Sequence, residues 1–404
     1  MGAIHGALDK VTRPPVLSIF AILFGVLTAL LGLTYVGSLD GPVSDNGEVV
    51  PGDYMAFETG AVLLAEGHGP ALYDLDVQYA TQARLAGMPL ADWQPYVNPP
   101  LLAILLRPLA ALPYVQGFWV YAAAMAVAGI LGSLALVGLV PALARAPLER
   151  VTVALLALAF HPIARTTFGG QNTVLTWALV TGSLWALVRG RVVLAGVLVG
   201  LLSYKPQYVP FLVLALCLTR AWTTLAVAAA VTLAHYALGA WLLSPDWPLR
   251  MLAAMRDYRP MEWHDNVKTH FSLVPFFDYA LGGATGRVLA ALGAIAVLGA
   301  LFVSLRRVRD VRVVWALCLV AGMLLSPHLQ YYDFGVLVLP VALGLDVLAR
   351  RGTPATLPLR LVVAVIYVGY PWFYMAADRV GFQPLTAWTI AIFAWLCAVG
   401  ACSA

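Results

Sequence analysis

The chain has 404 residues, of which 61% are hydrophobic and only 11% are charged, and its net charge is +4. A soluble domain normally has about a quarter of its residues charged, so this composition excludes an ordinary soluble enzyme and indicates a membrane protein. No basic run typical of nucleic-acid binding is present. The apolar residues do not alternate as in a transmembrane β-barrel. The membrane spans are therefore predicted to be helices, whose backbone satisfies its own hydrogen bonds in hydrocarbon.

Apolar runs and the turn signals between them predict about twelve membrane-spanning helices. They cover residues 16–37, 115–140, 151–167, 172–188, 191–204, 207–219, 222–243, 287–305, 312–326, 333–349, 360–376 and 384–403. The shorter apolar segments 99–112 and 272–281 are predicted to be re-entrant or interfacial helices. The predicted fold is thus an all-α polytopic membrane protein, with residues 1–404 as a single integral membrane domain.

The loops between these helices alternate in charge. Two long loops, 38–98 and 244–271, contain most of the acidic residues. The other set of loops is short and basic, as cytoplasmic loops are, and holds Lys10, Arg13, Arg145, Arg150, Arg189, Arg191, Arg220, Arg306, Arg307, Arg309, Arg312, Arg350, Arg351 and Arg360. Both termini are therefore predicted to be cytoplasmic, and both long loops to face outward. Within the first long loop, segments 53–66 and 72–85 have the spacing of amphipathic helices.

Familiar markers of soluble enzymes and of metal sites are missing from the sequence. There is no Walker loop, no G-x-S-x-G elbow and no His/Cys spacing typical of a metal site. The cysteines, Cys217, Cys318, Cys397 and Cys402, all lie in apolar runs, which predicts buried thiols and not disulfides. We predict no metal and no cofactor from these patterns.

Two acidic motifs lie in the first long loop. Asp53, in Pro51-Gly52-Asp53-Tyr54, precedes a helix-like segment. Its carboxylate can act as a general base towards a hydroxyl nucleophile, or it can cap the helix that follows. Asp74-x-Asp76 resembles the acid pair that binds a metal and a nucleotide sugar in soluble glycosyltransferases. Nucleotide sugars are not expected on the outer face, so a solvated helix start is favoured for that pair.

Two polar motifs lie at outward-facing helix junctions. In Gly169-Gly170-Gln171-Asn172 the glycines permit close backbone approach and the amides can bind sugar hydroxyls. A plain helix–helix turn explains this motif equally well. In Lys205-Pro206-Gln207 a lysine lies between two apolar runs, which is costly unless it reaches water or meets an anion.

A third polar cluster occurs in Ser326-Pro327-His328-Leu329-Gln330-Tyr331-Tyr332-Asp333. His328 can donate to a phosphate or a sugar hydroxyl, or it can be structural. In the second long loop, Arg250, Arg256, Arg259, Lys268 and His270 can bind either a phosphate or lipid headgroups. The motifs of both long loops thus fall on the predicted outer side.

The order of these motifs resembles glycosyltransferase family 87, the bacterial polyprenyl-phosphate-sugar-dependent transferases of the GT-C fold. The resemblance covers most of the chain. It is carried by Gly52-Asp53-Tyr54-Met55-Ala56-Phe57, Pro70-Ala71-Leu72-Tyr73-Asp74, Asn98-Pro99-Pro100-Leu101-Leu102, Pro108-Leu109-Ala110-Ala111-Leu112-Pro113, Gly170-Gln171-Asn172, Lys205-Pro206-Gln207 and Ser326-Pro327-His328. No single motif is specific to this family. The order of the motifs, and their location on the same predicted side of the membrane, are specific to it.

The resemblance implies that Asp53 is the general base of an inverting transfer from a polyprenyl-phosphate sugar, predicted to be mannose, to a hydroxyl of a glycan or glycolipid. It implies a bacterial plasma-membrane protein whose site lies on the periplasmic or extracellular side, in contact with membrane lipid. Lys205, His328, Arg259 and Lys268 are predicted to bind the donor phosphate. The predicted sugar- and acceptor-binding residues are Tyr54, Gln171, Asn172, Gln207 and Tyr331.

A secondary transporter or a flippase for lipid-linked glycans is the main alternative. A transporter predicts repeated halves and ionisable residues near the membrane midplane. The sequence shows no clear internal repeat, and its charges gather at the predicted outer surface. A transferase is therefore the favoured hypothesis.

Overall fold

The computed structural model describes residues 14–352, 365, 367–373 and 375–401, apart from the side chains of residues 14, 261 and 263–266. Within these residues the regular structure is helical, and the only β-pairings are two isolated bridges, Val43–Val49 and His270–Gln330. Part of the predicted helix 360–376, residues 360–364, 366 and 374, falls outside the described residues. Lys10, Arg13, Arg360 and Cys402 also fall outside them.

The first half of the chain forms helices that follow the apolar runs of the sequence. They are α1 Pro14–Gly37, α2 Tyr54–Ala65, α3 Leu75–Ala86, α4 Leu101–Leu106, α5 Tyr114–Leu139, α6 Pro147–Ala159, α7 His161–Phe168, α8 Thr173–Val188, α9 Val192–Leu201 and α10 Val209–Leu218. Short 3₁₀ turns extend four of the junctions, at Gly69–Ala71, Arg107–Ala111, Leu202–Tyr204 and Pro206–Tyr208.

The second half continues in the same way. Its helices are α11 Trp222–Leu242, α12 Trp247–Asn266, α13 Leu273–Leu281, α14 Gly283–Leu305, α15 Val311–Leu325, α16 Val338–Arg350, α17 Ala377–Val380 and α18 Pro384–Ala401. A 3₁₀ turn at Val267–Thr269 precedes α13, and another at Tyr331–Leu337 leads into α16.

Six helices of the described part of the chain are long and apolar enough to cross a membrane: α1, α5, α11, α14, the 3₁₀ turn with α16, and α18. Helices α6 and α7, which meet at a bend of 63°, would make a seventh span. Other apolar helices, such as α9 and α10 with 10 residues each, are about 15 Å long, well short of a bilayer's hydrocarbon core. The chain is a polytopic membrane protein, but the predicted count of about twelve spans is not confirmed.

The apolar surface lies where lipid would cover it. Only 17% to 22% of the spanning windows of α1, α11 and α14 is buried, and large apolar side chains such as Leu23, Trp241 and Ile295 are exposed. Such continuous apolar faces belong in hydrocarbon and not in water. Helix α15 is the opposite case, because every side chain from Val313 to Leu324 is buried. It is thus a central helix of the bundle.

The predicted loops gather at two ends of the bundle. At one end, which we call the basic end, the Arg350 Nε lies 2.9 Å from an Asp346 Oδ2, and the other Asp346 oxygen accepts from the Ala142 N–H. Arg312, at the start of α15, lies in the same cluster. The far end of α15 leads into Ser326, at what we call the polar end. The contacts agree with the predicted grouping of loops; which end faces the cytoplasm stays a prediction.

The two helices of the first long loop are buried differently from the amphipathic helices that the sequence predicts there. Helix α2 is buried on all sides from Tyr54 to Leu64, so it is a core helix and not an amphipathic surface helix. Helix α3 does have one buried face, but that face is polar: Gln78 exchanges hydrogen bonds with the backbone of Tyr96, and Gln82 with that of Gln94. These amides hold the extended segment before α4 against α3. The segment thus covers the polar end of the bundle.

The Asp74-x-Asp76 motif starts α3, as the sequence favoured. The Asp74 carboxylate accepts hydrogen bonds of 3.1 Å from the backbone N–H groups of Asp76 and Val77. A side chain that satisfies the free donors of a helix start in this way is a cap. Asp74 is therefore accounted for as the cap of α3, and Asp76 lies in the first turn of that helix.

Candidate active site

Two glycine-containing turns bring Asp53 and Gln171 together. Gly52 has φ +50°, and a Cβ there would lie 2.9 Å from the Gly169 carbonyl oxygen. Gly170 has φ +80°, and a Cβ there would overlap the Pro51 carbonyl oxygen. Only glycine adopts such backbone easily and leaves room for so close an approach. The two turns therefore pack backbone against backbone, and the side chains that follow them meet.

The Asp53 carboxylate is held by side chains and not by the helix it precedes. It occupies the position before α2 but makes no capping hydrogen bond. Instead it accepts a hydrogen bond of 3.2 Å from the Tyr332 hydroxyl and another from the Gln171 side chain. The capping interpretation is thus wrong for this side chain. A carboxylate left free of the backbone and oriented by two donors is well placed to accept a proton.

The surroundings of Asp53 make it more basic than an ordinary aspartate. Burial raises the pKa of its carboxyl, and the nearby Glu262 adds to the rise. The hydrogen bonds from Gln171 and Tyr332, together with the Lys205 charge, lower the pKa but do not cancel the rise. A raised pKa brings a general base closer to the operating pH, where it works best.

Asp53 lines a polar cavity of about 500 Å³ at the polar end of the bundle. This cavity, which we call the polar cavity, is formed by the starts and ends of several helices and by the segment before α4. Its lining includes Gly52, Asp53, Trp93, Gln94, Arg165, Gly169, Gln171, Tyr258, Thr269, Gln330, Tyr331 and Tyr332. The amides, phenols and single guanidinium among them suit a ligand with many hydroxyls and an anionic group.

A second, mostly apolar cavity of about 630 Å³ adjoins the first, and we call it the apolar groove. It runs between α1, α7 and the segment around Tyr367, and its lining includes Phe20, Phe24, Leu27, Leu31, Phe168, Tyr367 and Val368. The two cavities share Gly52, Arg165 and Gly169. A molecule with a polar head and a long apolar tail can therefore occupy both at once.

Arg165 stands at the junction of the polar cavity and the apolar groove. It is exposed, its Nε donates to the Tyr331 hydroxyl over 3.1 Å, and its guanidinium lies 5.7 Å from the centre of the Tyr331 ring. A guanidinium presents several donors in a planar fork suited to phosphate. Arg165 is not among the residues predicted from the sequence, although an arginine within the apolar segment 151–168 is a signal, since such a charge needs a functional or structural reason.

Lys205 is buried behind Tyr332 and paired with Asp333. Its Nζ lies 2.7 Å from an Asp333 Oδ1, with 7% and 3% of the two side chains exposed, and Thr173 also donates to that oxygen. The lysine follows the 3₁₀ turn at the end of α9, where Pro206 prevents the helix from continuing. The pair fixes the turn that carries Tyr332. Contact of Lys205 with a donor phosphate stays a prediction.

His328 belongs to a cluster with Glu262 and His270 at the edge of the polar cavity. Its Nδ1 lies 3.2 Å from the His270 Nε2 and 3.5 Å from a Glu262 Oε1. Burial lowers the pKa of His328, which favours the neutral ring. Burial also raises the pKa of Glu262. Residues next to the cluster, Thr269 and Gln330, line the cavity itself.

The remaining predicted residues are spread around these features. Tyr331 and Gln171 line the polar cavity, and their roles in sugar or acceptor binding stay predictions. Buried Tyr54 donates to Glu58 over 2.9 Å, and buried Asn172 accepts at its carbonyl from Tyr204. Half-buried Lys268 pairs with Asp378 over 2.8 Å, Arg259 is exposed on α12 and Gln207 is half-buried. None of these last five residues lines either of the two cavities described, and their binding roles stay predictions.

A model of glycosyltransferase family 87 matches residues 96–328 of the chain. The matched segment contains Gln171, Lys205 and the Glu262–His270–His328 cluster, while Asp53 precedes it. No curated protein and no solved structure gives a match.

Proposed function

Because the chain belongs to glycosyltransferase family 87, and is thus a membrane glycosyltransferase, we propose that it transfers a sugar from a polyprenyl-phosphate donor to an acceptor hydroxyl, with Asp53 as the general base. Mannose is the sugar that we expect, and a glycan or glycolipid the acceptor. The observation that carries the proposal is the position of Asp53 in a polar cavity that shares Gly52, Arg165 and Gly169 with an apolar groove.

The shared boundary supports a lipid-linked donor. A nucleotide-sugar donor would need only a polar cavity, whereas a polyprenyl-phosphate sugar needs an apolar groove that ends at a polar cavity. In this arrangement the prenyl chain lies in the apolar groove, the phosphate lies beside Arg165, and the sugar faces Asp53 and Gln171. Arg165 and phosphate would form charge-assisted hydrogen bonds, which are about twice as strong as neutral ones. Arg259 and Lys268 stay predicted contacts of the phosphate at the rim.

The proposed reaction is a single displacement. Asp53 accepts the proton of the acceptor hydroxyl as that oxygen bonds to the anomeric carbon. The bond between the anomeric carbon and the phosphate oxygen breaks, and its electron pair leaves on the phosphate. Arg165 stabilises the charge that develops there. Attack from the face opposite the phosphate inverts the anomeric centre. Tyr332 and Gln171 hold the carboxylate in the required orientation.

The location of the site follows from the charge of the loops. The basic end of the bundle carries the arginines typical of cytoplasmic loops, and the polar cavity lies at the other end. We therefore expect both termini on the cytoplasmic side of a bacterial plasma membrane and the site on the periplasmic or extracellular side. Cysteine labelling from outside intact cells, at an exposed loop position such as Asp40 after its replacement, tests this orientation.

The Asp53→Asn variant tests the central assignment. Purified wild-type and variant proteins are given synthetic polyprenyl-phosphate donors carrying mannose, arabinose, glucose or galactose, and products are read by mass spectrometry. We expect transfer by the wild type from one donor, and at least about a 1,000-fold slower transfer by the variant, whose amide cannot accept the proton. Asp40→Asn, an exposed acid in the same loop, is the matched control and should transfer normally.

Two outcomes would contradict the proposal. Transfer by Asp53→Asn at the wild-type rate would remove Asp53 as the base. Uptake of free sugar or lipid-linked glycan into proteoliposomes, without transfer from any donor, would favour a transporter or flippase instead.

A further inference from the structure

Two side chains of the second long loop and one from a distant part of the chain converge beside the polar cavity. A Glu262 oxygen, the His270 Nε2 and the His328 Nδ1 lie 3.2 Å, 3.5 Å and 3.7 Å from one another. His270 is fully buried, whereas 16% of Glu262 and 39% of His328 is exposed. We propose that these three residues bind a Zn²⁺ ion.

The spacing of the three atoms fits a tetrahedral ion without rearrangement. Bonds from zinc to imidazole nitrogen and carboxylate oxygen are about 2.0–2.2 Å long, so neighbouring ligand atoms of a tetrahedral site lie about 3.3–3.6 Å apart. The three observed separations bracket that range. A point about 0.7 Å out of the plane of the three atoms lies about 2.1 Å from each of them, which is the position and bond length of an ion in a tetrahedral site.

The backbone around the cluster holds two of its members in register. His270 and Gln330 form an isolated antiparallel bridge, and the Phe271 N–H donates to the Leu329 carbonyl over 3.2 Å. This pairing places the His270 and His328 rings with centroids 4.8 Å apart. The Gln330 side chain also donates to the Glu262 oxygen, which is the kind of outer hydrogen bond that orients a metal ligand.

The chemistry of the ligands favours Zn²⁺ over Mg²⁺ and Ca²⁺. Two imidazoles and one carboxylate suit Zn²⁺, whereas Mg²⁺ and Ca²⁺ require mostly oxygen ligands. Three protein ligands leave a fourth position open, which is typical of catalytic and not of structural zinc. Thr269, Gln330 and Tyr331 continue from the cluster into the lining of the polar cavity. We infer that the open position takes an oxygen of the donor phosphate, a step that rests on the proposed function.

Sequence patterns did not predict this site because its residues come from separate elements. His270 and His328 are 58 positions apart, and Glu262 lies on α12. No short spacing of histidines or cysteines marks the site. The proposed zinc site thus replaces the prediction of no metal that the sequence alone supported.

Metal binding is tested directly on the full-length protein in detergent. The protein is treated with a chelator, equilibrated with Zn²⁺, freed of excess metal and analysed by elemental mass spectrometry. We expect one Zn²⁺ per chain for the wild type, and Glu262→Gln and His328→Asn should weaken binding at least about 100-fold. His68→Asn, at an exposed histidine that is not part of the cluster, is the matched control and should keep the ion.

Two further readouts separate metal binding from folding and from catalysis. Co²⁺ bound to the wild type should give the intense visible absorption of a four-coordinate site, which requires no variant. Asp53→Asn should retain Zn²⁺ while losing transfer.

Wild-type protein without stoichiometric Zn²⁺, or full Zn²⁺ binding by both Glu262→Gln and His328→Asn, would overturn the zinc site and leave a hydrogen-bonded cluster. Stoichiometric Zn²⁺ in a protein that uses no lipid-phosphate donor would instead overturn the proposed function alone.

Discussion

The Tyr332 hydroxyl donates a hydrogen bond of 3.2 Å to the Asp53 carboxylate across 279 positions of the chain. This contact joins the first long loop to the turn before α16. Tyr332 itself is held in place by the buried Lys205–Asp333 pair, whose Nζ lies 5.9 Å from the centre of the Tyr332 ring. The orientation of the proposed base therefore depends on residues that lie outside the polar cavity.

The pH dependence of transfer should report the raised pKa of Asp53. The base acts only when deprotonated, so transfer should fall as the pH drops through a range above that of an ordinary aspartate. Tyr332→Phe removes a hydrogen bond that lowers this pKa, so the acid limb of kcat/KM should move to higher pH. The control Tyr236→Phe, which removes an exposed hydroxyl, should leave the acid limb of kcat/KM at the wild-type pH. An acid limb that moves to lower pH in Tyr332→Phe would contradict the assignment.

Replacement of Arg165 should weaken binding of the donor. Arg165→Gln removes the charge at the junction of the two cavities, and loss of a charged hydrogen bond is expected to raise the donor KM by about 10- to 100-fold. Steady-state kinetics with a varied donor and a saturating acceptor measure this change. Arg84→Gln, at a surface arginine paired with Glu66, is the control. A raised KM for the acceptor alone would place Arg165 elsewhere in the mechanism.

Obstruction of the apolar groove should discriminate between long and short donors. Leu27→Trp adds bulk to the groove lining, so a donor with a full polyprenyl chain should show a higher KM than in the wild type. A donor with a very short prenyl chain should be used as before, because it does not fill the groove. Leu23→Trp lies on the same helix but outside the groove lining, and it should change neither donor. Equal loss with both donors would argue against a prenyl path in this groove.

The Lys205–Asp333 pair should contribute to stability. Lys205→Met leaves a buried carboxylate without its partner, which is expected to cost about 3–5 kcal/mol of stability. Thermal unfolding in detergent measures the loss. The double variant Lys205→Met with Asp333→Leu should recover much of it, since no charge is then left unpaired.

The same double variant separates two roles of Lys205. Transfer should recover with stability if the lysine acts only by fixing Tyr332. Transfer that stays lost in a stable double variant would support the predicted contact of Lys205 with the donor phosphate.

Gly170 should be needed for both fold and activity. In Gly170→Ala the added methyl group meets the Pro51 carbonyl, so Gln171 and Asp53 should separate and transfer should fall with the melting temperature. Gly190→Ala has a similar positive φ, +69°, but open space around the new methyl group. It should cost only the backbone strain of about 1–2 kcal/mol and leave transfer unchanged. Equal losses of transfer and of melting temperature in the two variants would mean that backbone strain alone, and not the contact with the Pro51 carbonyl, causes them.

The membrane class and much of the helical pattern were determined by the sequence alone. Long apolar runs such as those of α1, α5 and α14 can satisfy their backbone only as helices in hydrocarbon, so local composition decides their structure. The burial of α2 was different, because the same segment reads as amphipathic until its neighbours are known. The short helices α9 and α10 likewise matched apolar runs, but run length did not determine whether each crosses the membrane.

The candidate site was likewise determined partly by the sequence and partly by the tertiary structure. Asp53, Gln171 and Tyr331 could be selected from the sequence, since polar residues at the ends of apolar helices need a reason to be there. The contacts that matter to the proposed chemistry, Tyr332 with Asp53 and His328 with His270 and Glu262, join residues far apart in the chain. Such pairings arise from how helices pack and how two glycine turns touch. Only the tertiary structure could decide them, because no local pattern encodes the distance between remote side chains.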